Sequence, residues 1–244
     1  MARVFSIPAS LREVSSAFAL LHRGEPAKSF RACAFLVAWV ASAAFAADWN
    51  AAGVREALRV ASERAVALAS KPGGFLDDAR IHITLPKTVR KIGKALRAIG
   101  MGAQVDELEV GMNRAAELAT AEAKPVFADA IRGMTLQDAV GVVRGGETAA
   151  TDYFRGATEA RLHARFKPIV AGSLARVGAR RQYDALVAHY RALPFAEPAN
   201  LDLDEYTTTK TLAGLFTLLA EEEKKIRSDP AKRTTSLLRK VFGL

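Results

Sequence analysis

The stretch Val105–Ala123, VDELEVGMNRAAELATAEA, places Val105, Leu108, Met112, Ala115 and Ala119 at i, i+3, i+7, i+10 and i+14. That spacing lines apolar side chains along one stripe of an α-helix. A helix of this length with such a stripe must be covered by other elements, so it predicts a central helix with neighbours packed around it. Glu109, Asn113 and Glu117, at i, i+4 and i+8, make a second, polar stripe beside the first. Glu109 lies off the apolar stripe, so Glu109→Lys is expected to cost within about 1 kcal/mol.

The segments on either side also read as helices. Asn50 caps a helix over about 51–70 that Lys71-Pro72-Gly73-Gly74 stops. Ile81-His82-Ile83-Thr84-Leu85 alternates with period two and is therefore extended. One such piece cannot make a sheet, so it is expected to lie over helices. A helix over about Lys87–Ile99 follows, with Val89, Ile92 and Leu96 inward. Its other face carries Lys87, Arg90, Lys91, Lys94 and Arg97, and is expected to be a solvated basic face, the alternative being a phosphate-binding patch. Pro125 should kink or end the central helix. Thr135 with Asp138 three residues on resembles a capping box, with Leu136, Ala139, Val140 and Val143 inward. A long helix then opens at Thr148 and is bent at Pro168, and Gly178 turns the chain into a helix over about Gln182–Leu193. After a loop at Pro194–Asn200, Asp202 starts a helix whose buried face is Leu212, Leu215, Phe216, Leu219 and Ile226. Glu221–Lys225 and Glu223–Arg227 have the favourable i, i+4 order. A last amphipathic helix over Lys232–Phe242 sets Leu237, Leu238, Val241 and Phe242 against Lys232, Arg233, Arg239 and Lys240. It is expected to close the bundle, the alternative being a berth on an anionic membrane surface. The fold class that results is all-α: a single bundle-like domain of about eight to ten helices with one short extended segment.

The N-terminal region has a different character. Lys28 and Arg31 precede an unbroken small-and-apolar run from Ala32 to Ala46 that ends in Ala44-Phe45-Ala46. A basic flank, an apolar run and a small-x-small site are the parts of a secretory signal peptide, and the run is shorter than the roughly 18–20 residues of a membrane span. The chain is thus read as residues 1–46, a preamble plus signal peptide cleaved after Ala46, and residues 47–244, one all-α domain. Signal peptides rarely carry so long a preamble, so translation is expected to start downstream of Met1. The only cysteine, Cys33, lies in the leader. Cleavage would leave a thiol-free chain, without disulfides, cysteine nucleophiles or thiolate metal sites. The periplasm or the exterior is the expected location.

Several stretches resemble a known family. They are Gly74-Phe75-Leu76, Ile83-Thr84-Leu85-Pro86, Asp106-Glu107-Leu108-Glu109 with Met112-Asn113-Arg114-Ala115-Ala116-Glu117, Ala149-Ala150-Thr151-Asp152-Tyr153-Phe154, Phe166-Lys167-Pro168-Ile169-Val170, and Ala220 to Arg227. The closing Thr234-Thr235-Ser236-Leu237-Leu238 and Val241-Phe242-Gly243 fit as well. Together they are similar to bacterial domain-of-unknown-function family 4197, exported helical proteins, over essentially Asp48–Leu244. The resemblance implies a helical fold and an envelope location. It implies no activity, cofactor or catalytic residue.

Chemical motifs are scarce. His82, His163 and His189 are far apart and none sits in a His-Glu-x-x-His pattern, so no metal site is expected. There is no Gly-x-Ser-x-Gly elbow, phosphate loop or dinucleotide fingerprint. No cofactor and no catalytic residue are assigned. Glu221-Glu222-Glu223 beside Lys224-Lys225 reads as a solvated face, and Gly145-Gly146 as a plain helix stop and start. The candidate ligand-binding residues are Asn113, Arg114 and Glu117 on the central helix, with Asp152 and Tyr153 in the first turn of the long one. If those helices adjoin, Arg114 and Asp152 form a structural ion pair at a helix start, where Asp is favourable. The same groups would otherwise line a small polar pocket.

The formal net charge is +9; residues 1–46 hold five basic and two acidic residues, and the remainder keeps +6. The excess reads as spread along the chain and as a matter of solubility. The functional reading is an exported envelope protein that acts by binding, its partner an envelope protein or an anionic membrane surface, with no nucleic acid expected. The rivals are a carboxylate- and tyrosine-based enzyme with a pocket between helices, and a carrier of a lipid or apolar small molecule. N-terminal sequencing of the exported form should begin at Ala47. Mature protein that retains Cys33 would contradict the leader assignment.

Overall fold

The central helix forms as its pattern dictates, and in this computed structural model it is the element the others surround. The structure describes residues 51–192 and 202–229, without the side chains at 87 and 88. The leader, the 194–200 loop and the C-terminal helix expected over 232–242 lie outside the described residues.

The described residues form eight helices and no strand. They are α1 (51–70), α2 (Lys87–Ala98), α3 (Gly102–Thr120), α4 (Ala123–Gly133), α5 (Leu136–Arg144), α6 (Ala149–Arg176), α7 (Ala179–Arg191) and α8 (Leu203–Ser228). The fold class is all-α, as the periodicity predicts. Val105, Leu108, Met112, Ala115 and Ala119 of α3 are all buried. Helix α3 packs against α2, α6, α7 and α8, and α6 packs most extensively against α8 and α3. Between them Phe127 meets Phe154 at 4.9 Å and Phe216 at 6.4 Å between ring centroids. Among the described residues, no helix is long and apolar enough to cross a membrane.

Local signals act where the sequence puts them. Thr135 and Asp138 form a complete capping box on α5. Asp202 accepts from the Glu205 N–H at 3.0 Å and caps α8. Gly178 turns α6 into α7 with φ +77°, a left-handed conformation that glycine adopts without a Cβ clash. Two expectations are corrected. Pro125 does not break α3: the chain leaves the helix at Ala121–Glu122, and Pro125 sits in the first turn of α4, where its missing N–H costs nothing. On α5 the buried residues are Ala139 and Val142, while Leu136 is 43% exposed, so the inward face is turned from the one expected. Helix α6 does not end at Pro168, which sits exposed within it.

The segment between α1 and α2 passes through turns as far as Ile81, and the extended piece follows from His82 to Pro86. The segment runs as a strap between α3 and α8, with Phe75, Ile81, Ile83 and Leu85 buried. At Gly214 of α8 a Cβ would fall 2.7 Å from the Phe75 ring and 3.1 Å from Ile81 Cβ, so glycine is what lets the strap lie directly on that helix.

Candidate functional site

An extended segment buried among helices has no sheet to satisfy its backbone, so its N–H and C=O groups need other partners. The polar stripe of α3 supplies them. Glu109 accepts from the Leu85 N–H at 2.9 Å. Asn113 accepts from the Ile83 N–H at 2.8 Å, donates to Ile83 O at 3.0 Å, and donates again to Glu109 O at 2.8 Å. Its amide thus pairs with Ile83 as a neighbouring strand would. Glu117 accepts from the Phe75 and Leu76 N–H groups, both at 3.2 Å, on one carboxylate oxygen. The match is geometric. Four residues of helix advance about 6.0 Å and two residues of strand about 6.6 Å, so Glu109 and Asn113 keep step with Leu85 and Ile83.

The rest of the strap is tied down nearby. Tyr206 of α8 donates its hydroxyl to Thr84 O at 2.7 Å. His82 Nδ1 donates to Leu76 O at 2.8 Å, and Asp78 O accepts from the Ile81 and His82 N–H groups. Arg80 pairs with Asp78 and with Glu221 of α8. The second oxygen of Glu117 accepts from Arg114 at 2.7 Å, an i, i+3 pair within α3. Glu117 is 4% exposed and Asn113 0%, so this is a fixed internal joint. Glu109 is therefore not the tolerant position expected, because it holds the Leu85 N–H.

Arg114 pairs with Glu117, so the Arg114–Asp152 ion pair is not what forms. Asp152 is exposed and accepts from Thr148 at 3.3 Å. Tyr153 is half-buried beside Phe154, with its phenol pushed above the ordinary range by burial first and by Asp138 next. Among the described residues, no hydrogen bond or ion pair joins Asp152 and Tyr153 to Asn113, Arg114 and Glu117. The five candidates thus divide into an internal clamp and a separate helix start.

A second joint repeats the first in kind. Glu223 of α8 accepts from the Ala150 N–H at 3.0 Å, and from the Thr151 N–H and hydroxyl at 2.8 Å each. These are first-turn N–H groups of α6, which a helix cannot satisfy from within itself. Thr148, the residue before that helix, makes no side-chain cap. Arg227 donates to Glu223 at 2.9 Å and to Val142 O at 3.0 Å. The expected solvated triplet is corrected accordingly. Glu222 and Glu223 are buried, and only Glu221 turns out, to Arg80. Of the expected i, i+4 pairs, Glu223–Arg227 forms, whereas Lys225 bonds Glu222 at 2.7 Å. Among the described residues, no group of three His, Cys, Asp or Glu could hold a metal ion.

One more carboxylate joins helices at the surface. Glu205 of α8 meets His163 and Lys167 of α6, both at 2.7 Å. The Lys167 hydrogen bond, then that of His163, holds its carboxyl down to about 2. A small cavity lies between α1, α5, α6 and α8, lined by Leu58, Val142, Leu219 and Ile226, with a volume of about 20 Å³, room for roughly one water. A groove of about 310 Å³ runs between α1 and α4, lined by Arg59, Ser62, Glu63, Lys124, Phe127 and Ile131.

Residues 45–243 match the family described as Protein of unknown function (DUF4197). No curated protein and no solved structure matches the chain.

The clamp has a measurable cost of removal. Asn113→Ala leaves the Ile83 N–H and C=O buried without partners and should lower stability by about 2–5 kcal/mol. Arg114→Ala, which removes one half-exposed partner of a carboxylate that keeps two N–H donors, should cost about 1 kcal/mol. Urea unfolding gives both values, and the reverse order would contradict the clamp.

Proposed function

The chain belongs to the family of Protein of unknown function DUF4197, and from that premise we propose that it is an exported envelope protein that works by binding rather than by catalysis. The export half rests on the basic flank, the apolar run Ala32–Ala46 and the small-x-small site at its end. The binding half rests on one observation above all. The buried carboxylates and amide that make the best candidate site, Asn113, Glu117 and Glu223, each hold backbone of this same chain. A general acid or base must face a substrate, and these groups face Ile83, Phe75 and Ala150.

A carrier role is the second reading, favoured by the groove of about 310 Å³ between α1 and α4 with Phe127 and Ile131 in its lining. Its volume lies at the lower end of small-molecule sites, which run from about 300 Å³ upward.

Native mass spectrometry of the protein taken from its own envelope tests the proposal. A complex with a second protein is the expected result, and an added mass of a few hundred daltons would favour the carrier. Turnover of any envelope substrate that survives Asn113→Ala and fails with a variant of an exposed carboxylate would overturn the non-catalytic reading.

A further inference from the structure

One described helix carries basic residues alone. Helix α2, Lys87–Ala98, holds five basic residues and no acidic one, whereas each of the other described helices mixes the two signs. Its apolar residues Val89, Ile92 and Leu96 are buried against α3 and α7. Arg90, Lys91, Lys94 and Arg97 are exposed. The helix ends on Ile99, which at 53% is exposed more than any other large apolar side chain described. Of the acidic groups on α3, Asp106 pairs with Arg97 at 2.6 Å, and Glu109 holds the Leu85 N–H. The neighbouring α7 carries an exposed Arg181 and an exposed Asp184.

We propose that the outer face of α2 is a docking surface for anionic lipid headgroups, with Ile99 as an apolar contact at its end. The charges lie along a helix about 18 Å long and do not converge on a cavity. That arrangement matches an extended anionic plane better than a single phosphate, and clusters of this size on amphipathic helices are what such planes attract. Because Val89, Ile92 and Leu96 stay in the core, docking is electrostatic and leaves the fold intact. The inference deepens the binding reading by naming a surface, and it does not depend on export.

Vesicle co-sedimentation of residues 47–244, which include every described residue, tests it. The protein should bind vesicles containing roughly one-third phosphatidylglycerol, ignore pure phosphatidylcholine, and be released as salt rises from about 0.05 to about 0.5 M. Arg90→Gln with Lys94→Gln should weaken binding about 30-fold at an unchanged melting temperature. Arg144→Gln with Arg165→Gln, the same charge loss on exposed positions elsewhere, should leave most of it. Ile99→Asn should weaken binding without altering its salt dependence, which keeps the test open if the double variant misfolds. No binding to anionic vesicles, equal loss in the two double variants, or binding to a polyanion such as RNA but not to vesicles would each overturn the proposal. A vesicle-negative protein that still carries a partner in native mass spectrometry would sink this surface and leave the binding function standing.

Discussion

An extended chain buried without a sheet is the constraint on which this structure depends. A buried N–H along it, such as that of Ile83, has lost water, and an unpaired one costs about 1–3 kcal/mol. Helix α3 answers with Glu109 and Asn113, set four apart so that they keep step with Leu85 and Ile83, and with Glu117, which takes the Phe75 and Leu76 N–H groups. Burial of Ile81, Ile83 and Leu85 then becomes favourable, and the strap fills the space between α3 and α8. Without those polar acceptors the same apolar side chains would carry unpaired backbone into the core.

The start of α6 obeys the same rule. There the unpaired groups are the first N–H groups of a helix, and Glu223 from α8 takes the place of a local cap. In both joints a carboxylate takes two backbone N–H groups and one arginine three or four residues along its own helix, Arg114 or Arg227. The arginine offsets the charge that burial would otherwise leave alone, and the N–H groups fill lone pairs that water has left. Such a joint fixes the position of distant segments, Phe75 to α3 and Ala150 to α8.

Much of this was legible in the sequence, because helix periodicity, the Thr135–Asp138 box, the Asp202 cap and the Gly178 turn are local signals with local causes. The extended reading of 81–85 and its place over helices followed from period-two alternation and from the lack of any second strand. What the residues did not disclose was partnership across the fold. Arg114 has a carboxylate three residues away at Glu117 and another at Asp152, and spacing alone does not say that Glu117 needs it more. Glu109 looked dispensable because the N–H it accepts belongs to Leu85, 24 residues earlier. Glu222 and Glu223 looked solvated because their lysine neighbours are adjacent in sequence, while Ala150 is not. A polar stripe at four-residue spacing, flush against an apolar stripe and preceded by an alternating segment, was the available signal for the clamp. The basic face of α2 was legible too, from five basic residues with no acidic one between Lys87 and Ala98.

Amide hydrogen exchange at Phe75, Leu76, Ile83 and Leu85 tests the clamp most directly. None of these N–H groups belongs to a helix or a sheet, so a strap held only by its apolar side chains would exchange like an exposed loop. The account predicts protection close to that of the α3 core, lost at Ile83 in Asn113→Ala and retained there in Arg114→Ala. Loop-like exchange at Ile83 and Leu85 in the parent protein would contradict it.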